Sequence, residues 1–158
     1  MTTIGPIPVL PLPYDSVLFP GRKLQINASD RQDVIAIIAE YYNRSLSDGS
    51  KKKTAVIGCV PLRSPYLSGD GQYLIESGGD EGAHRIPRID QAKRKDLFNY
   101  GVLATISSVE GGRSGELKIV VEGLQRFKLD KITAEKPYLA AKVKAFVDEG
   151  TAVFSYHV

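Results

Sequence analysis

The sequence predicts a mainly β domain of the α+β class: an antiparallel, partly closed barrel or pair of sheets with one amphipathic helix packed on it. Three observations carry this expectation. Runs with strand character fill most of the chain from Gly101 to Val147. Glycine-containing turns link several of them, as at Glu110–Gly115 and Glu122-Gly123. Apolar spacings of three and four, the mark of a helix with one buried face, occur in a single stretch, Ser29 to Ser45.

Taken in order, Ile7–Leu12 interleaves prolines with Val and Leu, which suits an edge strand or an extended segment better than a central strand. The apolar triplet Val17-Leu18-Phe19 then runs into a Pro20-Gly21 turn, and Leu24-Gln25-Ile26 alternates as a short strand. Ser29 with Gln32 forms a Ser-x-x-Gln capping-box pattern, and Val34, Ile35, Ile37, Ile38, Tyr41 and Tyr42 define the apolar face of the helix. Asp30 and Asp33 fall in its first turn, where the helix dipole favours carboxylates. Thr54–Val60 reads as a buried strand ended by Pro61.

Leu62–Lys95 changes texture, with five glycines, two prolines, many charges and little periodicity. So long a stretch without clear structure marks a functional or disordered insertion, expected to be mobile. Beyond it, Gly101–Val109 and Glu116–Val121 form a hairpin. Leu124–Ile132 carries Phe127 and Leu129 on one face. In Tyr138–Val147, Leu139, Ala141, Val143, Ala145 and Val147 alternate with Lys142, Lys144 and Phe146. Residues 1–150 thus form one β-rich domain with an insertion at about 62–95, and 151–158 begin a following segment or a tail.

Composition excludes several function classes. Lys plus Arg total 21 against 18 Asp plus Glu, and a net charge of +3 is too slight to imply nucleic acid or an anionic membrane. A single cysteine, Cys59, excludes an internal disulfide framework and any multi-cysteine zinc site. The N-terminus lacks a basic segment followed by an unbroken apolar run, so no signal peptide is expected, and no window suits a transmembrane helix. A soluble intracellular protein is the expectation.

Catalytic chemistry finds little footing. No phosphate-binding loop is present, since Gly111–Gly115 lacks the lysine and joins two strands. His84 lies in the insertion, His157 is one residue from the end, and Cys59 sits on a buried-strand pattern, so no nucleophile has a positioned base. His84 with Asp80 and Glu81 is the sole weak metal set, and reads better as a solvated charge cluster. Lys51–Lys53 and Lys93–Lys95 read as solvated strand flanks, and without tryptophan a base-stacking platform is unsupported. Catalytic, cofactor-binding and metal residues are therefore expected to be absent. The features left for function are apolar: Val17, Leu18 and Phe19, and Tyr66 and Leu67 in the insertion, as contacts for unfolded polypeptide. Val17–Phe19 also reads as core.

Three stretches together resemble a known family. They are Pro8–Pro13 running on through Val17–Gly21, then Asp96–Ile106, then Gly115–Phe127 with its Val-Glu-Gly-Leu-Gln-Arg run from Val121. In this order, with a helix between the first two, they resemble the N-terminal domain of Lon, the ATP-dependent AAA+ protease. The resemblance covers about residues 6–150. It implies a PUA-like β fold in which Glu122-Gly123 bends the sheet and Pro20-Gly21 sets a turn. It implies no catalytic residue: the ATPase module, with its ATP and Mg²⁺, and the Ser-Lys protease module lie downstream in the family. The implied role is substrate recognition and support of assembly, with unfolded or damaged proteins, the rest of the Lon chain and its hexamer as partners.

Val60–Leu67 looks most like peroxisomal Lon of fungi, which implies the peroxisomal matrix, with the bacterial cytoplasm as the alternative location. A strand beginning almost at Met1 leaves no room for a mitochondrial presequence, and the missing peroxisomal tripeptide fits a truncated chain. Two other classes remain open at this level: a standalone PUA-like nucleic-acid module and a Lon-like substrate receptor of a ubiquitin ligase.

Overall fold

The computed structural model describes residues 2–42, 56–64, 88–111 and 116–146. Six strands form one sheet: β1 (Thr2–Leu12), β2 (Lys23–Asn27), β3 (Val56–Pro61), β4 (Tyr100–Gly111), β5 (Leu117–Ala134) and β6 (Leu139–Ala145). Their order is β2-β5-β4-β3-β1-β6, and an additional β5–β6 pairing joins the far strand back to β5. The sheet therefore closes into a ring of β1, β3, β4, β5 and β6, with β2 attached outside. All pairings are antiparallel except β1 with β3, which is parallel, so the sheet is mixed. A short helix, α1 (Gln32–Ile37), continues into a π-helical turn at Ile38–Tyr42. The β-rich class with one packed helix is as expected.

Two apolar clusters share the strands. Inside the ring lie Ile7, Val9, Val60, Leu103, Phe127, Leu129, Ala141 and Val143, so all five ring strands contribute. On the outer flank, Leu10, Leu12, Ile57, Cys59, Val102, Ala104, Ile119 and Val121 pack against Ile26 of β2 and Val34, Ile37 and Ile38 of the helical segment. Alternation sends successive side chains of one strand to opposite faces, which is how Leu10 and Val9, or Val102 and Leu103, serve different cores.

In β5 this alternation is reversed partway. Ile119 and Val121 face the flank, whereas Phe127 and Leu129, although also odd-numbered, face the interior. The reversal comes from a bulge: Leu103 and Ala104 of β4 oppose Gln125 and Gly123, leaving Leu124 as an extra residue. The chain thus runs on as one strand of 18 residues where two separated by a Glu-Gly bend were expected.

The turn after β1 seats on this bulge. Phe19 and Arg22 close it with an Arg22 N–H to Phe19 carbonyl bond of 3.1 Å, with Pro20 and Gly21 at the centre and Gly21 at φ +77°. That sign of φ, after a proline, defines a type II turn and favours glycine. The Gly21 amide then donates to the Gly123 carbonyl and the Gly123 amide to the Arg22 carbonyl, both at 2.9 Å. A Cβ on Gly123 would lie 2.4 Å from the Phe19 carbonyl oxygen. Pro20-Gly21 and Glu122-Gly123, far apart in sequence, are one contact.

Two expectations need correction. β1 is an interior strand, between β3 and β6, despite its prolines. It pairs with β6 over Thr2–Val9 and with β3 over Val9–Leu12, so almost every residue has a partner on one side only. A residue without an N–H is tolerated where the donor would face the unpaired side. The helix is also shorter than the Ser29–Ser45 spacing suggests. Its N-cap is Arg31, with no side-chain cap, and Ser29 instead accepts a 3.1 Å bond at Oγ from the Leu117 amide while its own amide donates to Asn27 Oδ1. The capping-box residue is used to tie the helix approach to β5. Residues 43–45 lie outside the described residues, as do the Tyr41 and Tyr42 side chains.

Asp33 stands in the first turn of α1, as its position suggests. It is buried and takes two bonds from Arg31, Nε at 2.9 Å and Nη2 at 2.7 Å. At the insertion, Leu62 and Leu97 form a β-bridge, the Arg63 amide donates to the Asp96 carbonyl, and the Phe98 amide donates to the Pro61 carbonyl. Arg63 Nε and Arg94 Nη1 both donate to the Leu97 carbonyl, at 3.0 and 3.5 Å. Burial, with a smaller contribution from the Arg63 guanidinium, lowers the Arg94 pKa from its ordinary value. Two 3₁₀ turns, Ile89–Gln91 and Arg94–Asp96, follow Arg88, and Ala92 and Leu97 are buried, so the end of the stretch expected to lack clear structure is built into the domain.

These contacts set two expected outcomes in urea denaturation. Gly123→Ala should lose about 1–3 kcal/mol through overpacking against the Phe19 carbonyl, and Gly21→Ala, strained but unobstructed, about 1 kcal/mol. Equal stability of wild type and Gly123→Ala would refute the docked-turn account. Asp33→Ala, leaving Arg31 buried without its partner, should cost about 3–5 kcal/mol, more than the double variant Arg31→Met/Asp33→Leu.

Candidate functional site

The segment from Pro13 to Arg22 leaves β1 through a turn closed by the Ser16 amide on the Pro13 carbonyl, at 3.0 Å, and ends in the type II turn on Gly123. Between these anchors the apolar triplet divides. Leu18 is buried in the flank core, while Val17 is 56% and Phe19 62% exposed. The middle residue of the triplet is core, and its outer two present large apolar side chains to solvent from a backbone held at both ends. Tyr66 and Leu67 lie outside the described residues.

A second exposed group was not expected. Phe98 and Tyr100 are 44% and 45% exposed, their ring centroids 6.2 Å apart. Phe146 stacks on Tyr100 at 6.1 Å with planes 26° apart. Tyr100 continues the outward alternation of Val102 and Ala104 past the edge of the helix-covered flank. The signal was available: Phe98 and Tyr100 are two residues apart ahead of a strand, and Phe146 falls on the lysine face of β6. What the sequence did not disclose is that β5 brings these ends together, through bonds from the Phe146 amide to the Arg126 carbonyl and from Gln125 Nε2 to the Phe146 carbonyl.

An open cleft of about 570 Å³ lies beside the start of α1, lined among others by Gln32, Asp33, Ile89, Lys93, Lys136 and Leu139. Its chemistry is occupied. Asp33 is held by Arg31, and Asp90 pairs with Arg88 at 3.2 Å. No nucleophile with a hydrogen-bonded base faces it among the described residues. Nor does any group of three His, Cys, Asp or Glu there have the arrangement to hold a metal ion. His84 with Asp80 and Glu81, and His157, lie outside the described residues. No described helix is long and apolar enough to cross a membrane.

Cys59 is buried in the flank core, as its strand pattern suggests. Burial pushes its thiol up from 9.0 to about 12, against a smaller downward pull from Arg31. A nucleophile needs the thiolate, so this thiol is inert at neutral pH. Between 9.0 and about 12 the folded chain keeps a proton that the unfolded chain releases, so the thiol's contribution to stability falls as pH rises through that window. The native thiol should resist an alkylating reagent that labels it fully in denaturant, and Cys59→Ala should flatten the alkaline decline in stability. Rapid labelling of the native chain would contradict the burial.

The described residues therefore define a closed mixed β-barrel with a helix-covered flank and exposed apolar side chains. Residues 6–153 match the family model described as the ATP-dependent protease La (LON) substrate-binding domain, and the chain belongs to that family. Among curated relatives it is 30% identical over 142 residues to the Lon protease of Anaeromyxobacter dehalogenans. It is also 30% identical over 143 residues to Lon protease 2 of Myxococcus xanthus. Each alignment covers 90% of this chain and 13% of the relative. The chain thus spans about an eighth of the length of these Lon proteases.

Two solved structures share the fold, both with a TM-score of 0.51. The Lon N-terminal domain protein from Xanthomonas campestris is 16% identical and aligns over 92% of this chain and 60% of its own. The N-terminal domain of Mycobacterium avium complex Lon protease is 19% identical and aligns over 96% and 58%. The Lon relatives named here are bacterial, whereas the resemblance pointed first to peroxisomal Lon of fungi.

Proposed function

We propose that this chain recognises unfolded or damaged proteins for a Lon-type ATP-dependent protease and is itself non-catalytic. The observation that carries this reading is the exposure of Val17 and Phe19 on a backbone pinned to the β5 bulge, in a chain whose family is described by substrate binding. Apolar side chains held on a rigid support bind exposed apolar segments of a polypeptide with little ordering cost. Because native proteins bury such segments, the surface discriminates folded from unfolded clients, which is the need of protein quality control.

In this reading the partners are client polypeptides and the rest of a Lon chain assembled as a hexamer. ATP, Mg²⁺ and the Ser-Lys dyad act in modules downstream of the domain. The bacterial relatives support the bacterial cytoplasm over the peroxisomal matrix as the place of action.

The test is binding of the 158-residue chain to a denatured model protein and to its native form. The denatured form should bind more tightly, and Val17→Ser/Phe19→Ser should weaken it about 5- to 30-fold, the loss expected for two apolar contacts. Thermal stability should be retained, since both side chains are exposed. Equal or negligible binding of the two forms would overturn the proposal.

A further inference from the structure

The outer face of the β5–β6 pair collects cations with no ionic partner. Arg126, Lys128, Lys131 and Lys142 are exposed and Lys144 half-buried, and none of the five is in an ion pair among the described residues. Asp130 is the one carboxylate between them on β5. Lys128 stands directly opposite Lys144, and Lys131 directly opposite Lys142. Like charges facing one another across a sheet destabilise it. Lysines are often placed on edge strands to block aggregation, but β6 is paired with β1 on one side and β5 on the other, so it has no free edge there to protect.

The aromatic row joins this face. Tyr100 lies directly opposite Lys128, so Tyr100, Lys128 and Lys144 form one line across three strands, with Phe146 stacked on Tyr100 and Phe98 beside it. Rings and cations thus interleave on one solvent-facing surface.

Resting on the reading of the chain as a recognition domain, we propose that this face docks client segments in which Asp or Glu residues flank aromatic or large apolar side chains. The charge of the face selects the acidic groups, and the exposed rings take the apolar ones. Polypeptide is favoured over RNA because the family is described by substrate binding in a protease and the net charge of the whole chain is only +3. A second copy is disfavoured because two such faces repel.

The test measures binding of three peptides with identical apolar residues and acidic, neutral-amide or basic flanks, with oligouridine as a further probe. Wild type is compared with Lys128→Gln/Lys144→Gln. The acidic peptide should bind about tenfold more tightly than the neutral one at low salt and lose that advantage as salt rises. The double variant should lose the preference, keep its affinity for the neutral peptide, and melt no lower than wild type, because a repulsive pair has been removed.

Equal binding of acidic and neutral peptides would overturn this inference and leave the recognition role standing. Binding of no peptide and no denatured protein would remove both. Tighter binding of oligouridine would make the face a nucleic-acid surface and overturn the choice of polypeptide. Dimerisation abolished by the double variant, or peptide binding seen only after removal of residues 147–158, would overturn it by making a second copy or that segment the occupant.

Discussion

The seating of the Phe19–Arg22 turn on Gly123 is the constraint on which the rest of the domain depends. The β5 bulge reverses which residues face inward, so the same strand gives Ile119 and Val121 to the flank core and Phe127 and Leu129 to the barrel interior. Without that reversal, one of the two cores would receive side chains of the wrong face, because a shift of one residue exchanges the two sides of a strand. The bulge needs a residue with no side chain where the Phe19 carbonyl approaches, and the turn needs one that accepts positive φ.

This contact also accounts for the exposure of Val17 and Phe19. Leu18 is drawn into the flank, the turn is tied down by reciprocal backbone bonds, and the neighbouring side chains have no inward direction left. Their exposure follows from how the chain is anchored. A surface made in this way is costly only in hydration, and its backbone does not have to be ordered when something binds.

Much of the architecture could be read from residue order. The alternation in β6 and the placing of Phe127 and Leu129 follow from period-two patterns that burial reproduces, the buried run of β3 from its unbroken apolar residues, and the β4–β5 hairpin from the glycine-rich stretch between two strand runs. The misreadings share a cause. Prolines argue against an interior strand only where every residue is paired on both sides, and β1 changes partner at Val9. Ser29 reads as a local cap, yet its hydroxyl serves Leu117, 88 residues away. Asp33 stands in the first turn as its position suggests, held there by Arg31 two residues away. Local patterns rank local partners, and β1 and Ser29 find theirs through the tertiary fold. At the candidate surface, Val17 and Phe19 were picked out but their separation from Leu18 was not, and Phe98, Tyr100 and Phe146 converge only once the strands are paired.

The pinning of Leu62 to Leu97 has a consequence for how this domain can vary. The two chain ends that flank the insertion are joined by a bridge, by backbone bonds and by two arginines on one carbonyl, so they leave the barrel side by side. Closing a flexible loop between fixed ends costs only about 0.6 kcal/mol more for each doubling of its length. A change in the number of residues between these anchors therefore costs the barrel little.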